Sequence, residues 1–462
     1  MRQLIVILSI AAACLGCDPL ANPEPGRLSF SSDTISFDTV FSAVGSTTME
    51  FRAINSEREP LLIDRIWLGG GNDSPFRLNI NGKAGTEARD VVLGRGDSLF
   101  VFVEVTIDPT GEDLPVYIVD SVSFISGSFA ARVILEAWGQ DIRIIDEDIY
   151  SDTDWTDGKP YVIKGSLFID TLASLTLNPG TRVYMHKDGA INVAGTLHSS
   201  GIPGRRVIIA TDRLEDVYED VPGRWKGICF LSCSKDNNID FTDIRNAEMA
   251  VQMDGDEIAV PDLVMNGTML MHNSVASLAA KNADVFAVNC LFAHSGFSTI
   301  SLTEGGNYDF VHCTVAGRWE YGFRSEPAMF IGKGQGTLPD VTIVNSVITG
   351  NLDDELGVDA SAAETALSLR ADSSLIKVDT LGSSWYSGSV FRDVITGLQP
   401  RFIDEATYDF RPDTLSPLID RAGRSEAALW PYDFRNKPRP TGPGSDIGAF
   451  ERQPGEKRKD EI

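Results

Sequence analysis

Between Ser98 and Ile107 every second residue is apolar: Leu99, Val101, Val103, Val105 and Ile107 fall on one side of an extended chain, and the run stops at Asp108-Pro109. A period of two over that length predicts a half-buried β-strand, ended by a proline that cannot continue a ladder. "STTMEFRAIN", "PLLIDRIWLGGG", "DSVSFIS" and "ARVILEAWGQD" follow the same pattern. Residues 28–142 are therefore expected to form a β-sandwich of roughly seven strands.

Past residue 143 the apolar runs shorten and begin to recur. "DFTDIRNA", "LVMNGTMLMHNS", "FAVNCLFAHS", "DFVHCTVAGR" and "TIVNSVITGN" align on Phe241, Met265, Val288, Val311 and Val344, at separations of 24, 23, 23 and 33. A unit of this length is too short for two helices and carries no helical period. At about 3.3 Å per residue it makes one coil of three short strands and three turns. Val288, Cys290 and Phe292 are expected to point inward, stacked on Val311, Cys313 and Val315 and then on Val344, Ser346 and Ile348, with Asn289, His312 and Asn345 between them. Cys290 and Cys313 then belong to a buried stack of small residues. The earlier strands, interrupted at Gly165, Pro179-Gly180, Gly189 and Gly195, fit the same plan. The pattern predicts a parallel β-helix over 143–400, with ten extra residues in the 33-residue gap forming a loop.

Both ends depart from these patterns. Arg2 precedes an apolar run from Leu4 to Gly16 and then Cys17. Thirteen residues span about 20 Å, short of a bilayer core of about 30 Å, so residues 1–16 are a signal peptide and not a membrane span. Residues 17–27, rich in Pro and Asn, make a tether. At the other end 401–452 is Pro-rich and irregular, and 453–462 is a polar tail. A solenoid leaves an open strand edge at its end, so 401–452 is expected to close it as a flap. In that cap Asp446 takes backbone N–H groups, Gly448 supplies a conformation other residues avoid, and Glu451 pairs with Arg435 or Arg439.

Composition narrows the function classes. With 40 Lys and Arg against 66 Asp and Glu, the net charge is −26, which repels phosphate backbones and argues against nucleic acid as a partner. Anionic polysaccharides are repelled too, unless a divalent cation bridges the carboxylates, so calcium is the one cofactor the residues suggest. The place for it is "TDRLEDVYEDVPGRW", where Asp216, Glu219 and Asp220 cluster beside Asp212. A solvated charged loop is the alternative there. "NLDDELGVD" gathers Asp353, Asp354, Glu355 and Asp359, clustered carboxylates of the kind a glycoside hydrolase needs, with a solvated loop again the alternative. "RSEPAMF", from Arg324, is the nearest echo of a polysaccharide-lyase signature and lacks its second arginine. Rings in inserted segments, Trp319 and Tyr321 with Phe323, and Trp385 with Tyr386, are suited to stacking on a sugar or a protein partner.

Three segments resemble known families. "CLGC" is similar to the lipobox of bacterial lipoproteins, which implies lipid on Cys17, with Cys14 the second candidate and plain secretion the alternative. "FDTVFSAVGSTTMEFRAIN", "SPFRLNINGKAG" and the closing "GQD" resemble the Ig-like domains that precede repeat regions in bacterial surface lipoproteins. "VPGRWKGICF", "SPLID" and "DIGAFE" resemble the right-handed parallel β-helix lipoproteins of bacteria. The expectation is an all-β protein: an Ig-like sandwich, then a right-handed parallel β-helix, lipid-anchored in the cell envelope at the outer membrane. Its function is expected to be non-enzymatic binding of a polysaccharide or a surface protein. A polysaccharide-active enzyme, either a calcium-dependent lyase or a glycoside hydrolase, is the alternative.

Overall fold

The computed structural model describes residues 23–42, 44–111, 115–256, 258–359, 368–379 and 391–456, so Cys14, Cys17, Trp385 and Tyr386 lie outside the described residues. The chain divides into two compact units. One runs to Ile142 and includes Leu214–Asp216, and the other comprises Arg143–Arg213 and the chain from Val217 onward.

The first unit is a sandwich of two five-stranded sheets. Its strands are β1 (Ser29–Phe30), β2 (Thr34–Phe41), β3 (Met49–Ile54), β4 (Leu61–Leu68), β5 (Phe76–Ile80), β6 (Lys83–Ala84), β7 (Glu87–Leu93), β8 (Ser98–Val105), β9 (Val116–Ser126) and β10 (Phe129–Gln140). The sheet orders are β1-β3-β8-β5-β6 and β2-β10-β9-β4-β7. The period of two in β8 is carried out in full: Leu99, Val101, Val103 and Val105 are buried in the core between the sheets, and Ile107 follows them. There are more strands than periodicity suggests because β1 and β6 are two-residue edge strands, too short to show a period.

The second unit is a parallel β-helix. A ten-stranded parallel sheet, from Arg143–Ile145 to Leu375–Ile376, forms its first face. A sixteen-stranded sheet forms the other two, because the long strands Ala276–Val288 and Ile300–Val311 run through a bend and pair with different neighbours on either side of it. On the second face Ile228, Val251, Leu278, Ile300, Met329 and Leu356 are in register, coil on coil, and all are buried. Neighbouring coils are about 4.8 Å apart. Identical apolar positions therefore stack into one continuous core.

The corner between the third and first faces uses a left-handed residue in each coil: Asn289 (φ 53°), His312 (φ 49°) and Asn345 (φ 50°). Asn and His tolerate that conformation better than most residues. The register corrects two positions of the sequence alignment. Val288 pairs with Asn266, and Asn266 with Asp240, so Met265 and Phe241 are not its equivalents. Phe241 itself occupies the corner (φ 40°), with its ring under the Arg206 guanidinium at 6.0 Å. Its apolar character misled the alignment, because cation–π contact there replaces burial in the coil.

The C-terminal segment does not close the end of the helix as a flap. It lies along the outside of the first face, where Phe402, Phe410, Leu418, Ile447, Ala449 and Phe450 pack on Met271, Leu291, Ala293, Ala316, Val347 and Leu375 as a second core. The reason is in those strands. Leu270, Phe292, Val315, Ile348 and Ile376 fill the coil interior, so the residues between them leave an apolar outer surface that needs covering.

Candidate functional site

Two inserted loops leave the helix at the same corner, between the first and second faces. One joins Val207–Thr211 to Gly227–Leu231, and the other joins Thr314–Gly317 to Met329–Gly332. Three coils with short corners lie between them, so the loop bases are four coils apart, about 19 Å at the usual strand spacing. Asn246, His272 and His294 are the corner residues of those three coils, at φ 66°, 57° and 56°. The loops meet above them. Asn246 Nδ2 donates to the Glu219 and Val221 carbonyls at 2.8 and 3.0 Å, and Tyr321 Oη donates to the Asp220 carbonyl at 3.4 Å.

The centre of the site is a pair of buried histidines that the sequence reading did not single out. His272 and His294 touch through their Nδ1 atoms at 2.8 Å, and His272 Nε2 lies 3.1 Å from Asp220 Oδ1. The His294 ring is surrounded by Trp319 (centroid distance 5.4 Å), Tyr321 (5.9 Å) and Tyr408 from the C-terminal cover (5.2 Å). Its Nε2 is buried with no hydrogen-bond partner among the described residues. Burial holds His272 at a pKa of about 3 and His294 at about 4, so both are neutral at ordinary pH. Burial, and then Glu219, raises Asp220 above the usual aspartate value. Arg318 and Glu320 pair at 3.1 Å on the rim. The signal available in the sequence was the repeat itself, which puts "MHNS" and "FAHS" at one corner in successive coils.

The aromatic loop is anchored at its base by a buried ion pair. Arg324 Nη2 lies 2.5 Å from Glu355 Oε1, and both side chains are buried. Arg324 also donates to the Gly317 and Glu326 carbonyls, each at 2.6 Å, while Glu355 accepts from Leu352 N (2.7 Å) and Ala328 N (2.8 Å). Gly317 is required beneath it, since a Cβ there would come within 2.6 Å of Arg324 Nη2. "RSEPAMF" and "NLDDELGVD", two places where sequence suggests catalysis, thus supply the two halves of one structural contact. The remaining acids of the second stretch do not converge on it: Asp353 is exposed, Asp354 accepts from Asp379 N, and Asp359 N joins the Ile331 carbonyl. Above this base the rings are presented outward, with Trp319 half-buried, Tyr321 56% exposed and Phe323 fully exposed.

The acids of the 212–220 loop do not gather as the calcium reading requires. Among the described residues no group of three or more His, Cys, Asp and Glu side chains is placed to hold a metal ion. Asp212 is taken by His186 Nδ1 at 2.5 Å, Glu219 faces Arg245 at 3.6 Å, and Asp220 serves His272. Asp216 lies in a single 3-10 turn, Asp216–Tyr218.

The "DIGAFE" residues are structural. Glu451 is buried, accepts from Thr441 N (2.8 Å) and Asp446 N (2.9 Å), and lies 3.5 Å from the buried Arg439. Arg435 reaches the Glu451 carbonyl at 2.7 Å and spends its charge on Asp433 and Glu456. Asp446 accepts from Asp420 N and Arg452 N. Gly448 has φ 101°, and a Cβ there would press on Thr314 and Val347 of the sheet beneath. Elsewhere, a shallow groove of about 590 Å³ on the third face sets Asp236, Asp262, Asp284 and Asp309 around Val264 and Phe286.

No family model matches the chain, and no curated protein matches it. Solved structures similar to it at low identity include the following two. The ASH / PapD-like domain of human CEP192 (PapD-like domain 7) is 12% identical and covers 27% of this chain and 92% of its own, with a TM-score of 0.18. The catalytic unit of the thermostable GH87 alpha-1,3-glucanase from Streptomyces thermodiastaticus strain HF3-3 is 9% identical and covers 71% of this chain and 67% of its own, with a TM-score of 0.28. The protein is all-β, with a β-sandwich and a parallel β-helix of stacked repeats.

Proposed function

We propose that the protein is a lipoprotein of the cell envelope, anchored to the outer membrane through lipid on Cys17, whose β-helix binds a glycan without turning it over. The observation that carries this reading is the exposure of Tyr321 and Phe323 beside Trp319 on a loop pinned by the Arg324–Glu355 pair. Rings that serve only to cover a core are not left in water, whereas rings on a rigid base stack on the apolar faces of sugars. Asp220, Glu219 and Glu320 at the rim favour a neutral glycan over an anionic one. The leader and "CLGC" support the anchor; among the described residues no helix is long and apolar enough to cross a membrane.

Affinity electrophoresis through gels containing neutral polysaccharides tests the binding. Retardation of the native chain that is lost on Trp319→Ala/Tyr321→Ala, with the thermal unfolding unchanged, is the expected result. Unaltered retardation of that variant removes the assignment, and release of new reducing ends from the polysaccharide replaces binding by catalysis. Fractionation of cells expressing Cys17→Ser tests the anchor, which is lost with the cysteine if the assignment holds.

A further inference from the structure

The contacts at the histidine corner indicate where the protons are. A carboxylate oxygen of Asp220 lies 3.1 Å from His272 Nε2, where it would repel a lone pair and favours an N–H, so Nε2 carries the proton. A neutral imidazole has one N–H, and His272 Nδ1 is therefore the acceptor in the 2.8 Å contact with His294 Nδ1. His294 spends its single proton on that contact. Its other nitrogen, Nε2, is left as a bare lone pair, buried and without a partner among the described residues. A buried acceptor left unmade costs about 1–3 kcal/mol, so this one invites an explanation. The histidines sit in left-handed corners held by the backbone of the coil, and their burial keeps them neutral, so the arrangement is fixed before any ligand arrives.

We infer that His294 Nε2 is a recognition atom, accepting a hydroxyl of a neutral sugar that stacks among Trp319, Tyr321 and Tyr408, with Asp220 and His272 acting as positioning residues that hold its tautomer. The inference rests on the glycan-binding reading and names the polar contact at the same site. The ligand must donate a hydrogen, which a sugar hydroxyl does and a carboxylate or sulfate does not. The acids around the imidazole, Asp220 and Glu320, oppose an anion, and Arg318 and Arg245 are paired with acids. A hydroxyl reaches the atom when the Tyr321 ring, 56% exposed and joined to the acidic loop by a 3.4 Å bond, swings outward and packs on the sugar. The rings supply the stacking and the lone pair supplies the orientation. A hydrophobic enclosure alone discriminates weakly between sugars, whereas a buried acceptor penalises a ligand that cannot satisfy it.

Nitrogen-15 NMR of the full chain labelled at histidine reads the tautomer directly, before any ligand is added. His294 Nε2 is expected to show the shift of an unprotonated nitrogen and His272 Nε2 that of a protonated one; the reverse assignment overturns the inference. Methyl α-glucoside, methyl α-mannoside and methyl β-galactoside are then titrated at high concentration, and at least one is expected to move the His294 Nε2 resonance. His294→Gln, whose side-chain oxygen accepts near the same place, is expected to keep the affinity within about threefold, and His294→Phe to weaken it about tenfold, the value of one hydrogen bond. Sugars that perturb Trp319 and Tyr321 but leave Nε2 unmoved preserve the stacking site and refute the acceptor. Sugars that perturb neither refute both.

Discussion

Replacing Arg324 by Met removes a charge and five donors while keeping most of the side chain's volume, and it does so under the loop that carries the rings. Glu355 is then left fully buried without its counter-charge, 2.5 Å from where the guanidinium had been, with the Leu352 and Ala328 amides still facing it among the described residues. Breaking a buried pair from one side costs about 3–5 kcal/mol, because the surviving charge keeps its desolvation penalty. The carbonyls of Gly317 and Glu326 also lose a donor. Hydrogen exchange at the amides of 318–328 and 352–356 is the assay. At tenfold per 1.4 kcal/mol, opening should become easier by a factor on the order of a hundred to several thousand. Adding Glu355→Gln to Arg324→Met should recover part of the loss, since the double variant holds no unpaired charge and Gln still accepts one amide. A single-variant cost below about 1 kcal/mol, as for an exposed pair, would refute the anchoring role, as would a double variant whose cost is the sum of the two singles. Loss of ring presentation with the coil core intact should follow from the same opening.

Two further outcomes concern the cover. Burial, and then Asp446, pushes Glu451 up to about 7 from its usual 4.5, so the folded chain holds a proton that the unfolded chain releases. The resulting stability is complete below 4.5 and lost as pH rises through about 7, on the order of 3 kcal/mol in all; urea unfolding across that window should show the slope, Glu451→Gln should flatten it, and an unchanged slope in the variant would assign the titration elsewhere. Ending the chain at residue 400 uncovers Met271, Leu291, Ala316, Val347 and Leu375 and removes Phe402, Phe410 and Phe450, each contributing about 1.5–3 kcal/mol by burial. Light scattering should then show self-association, and a monomeric truncation with unchanged unfolding would contradict the packing.

The architecture was legible because each coil repeats one pattern. Alternation in β8 is a period-two signal that only a sheet satisfies, and Val288, Val311 and Val344 do stack in register, although Ala287, Phe310 and Ile343, one residue earlier, are what point into the coil. The register of the earlier coils was less legible, since Phe241 is apolar yet stands at a corner under Arg206, and an alignment on hydrophobicity reads it as core. The place of the C-terminal segment was available and missed: "CLFA" has no polar residue, and "CTVA" and "SVIT" set two apolar residues side by side where a one-sided sheet would alternate, and adjacent apolar residues in a strand mean cover on both faces. For the site, Trp319, Tyr321, Asp220 and Glu219 were found as two unrelated loops. The histidines between them were not, because a lone histidine in a strand-like repeat carries no signal until the coils are stacked.

That the two loops meet follows from the solenoid itself. In a globular fold, residues near 220 and near 320 have no reason to be neighbours. In a coil they share an address whenever they follow the same strand position, and both loops follow a strand of the first face. The intervening corners are short, and their residues Asn246, His272 and His294 face the loops, with Tyr408 of the C-terminal cover packed beside the two histidines. Left-handed corners favour Asn and His for backbone reasons. The backbone requirement thus stocks the floor of the trough with polar groups, and the insertions roof it with rings and acids. Among the described residues of the second unit, this corner is where the repeat is interrupted twice around a shared floor. An interruption of that kind contributes nothing to the core ladder of Ile228 through Leu356, which is complete without it. On the glycan-binding proposal, its contribution is to the ligand and not to the coil.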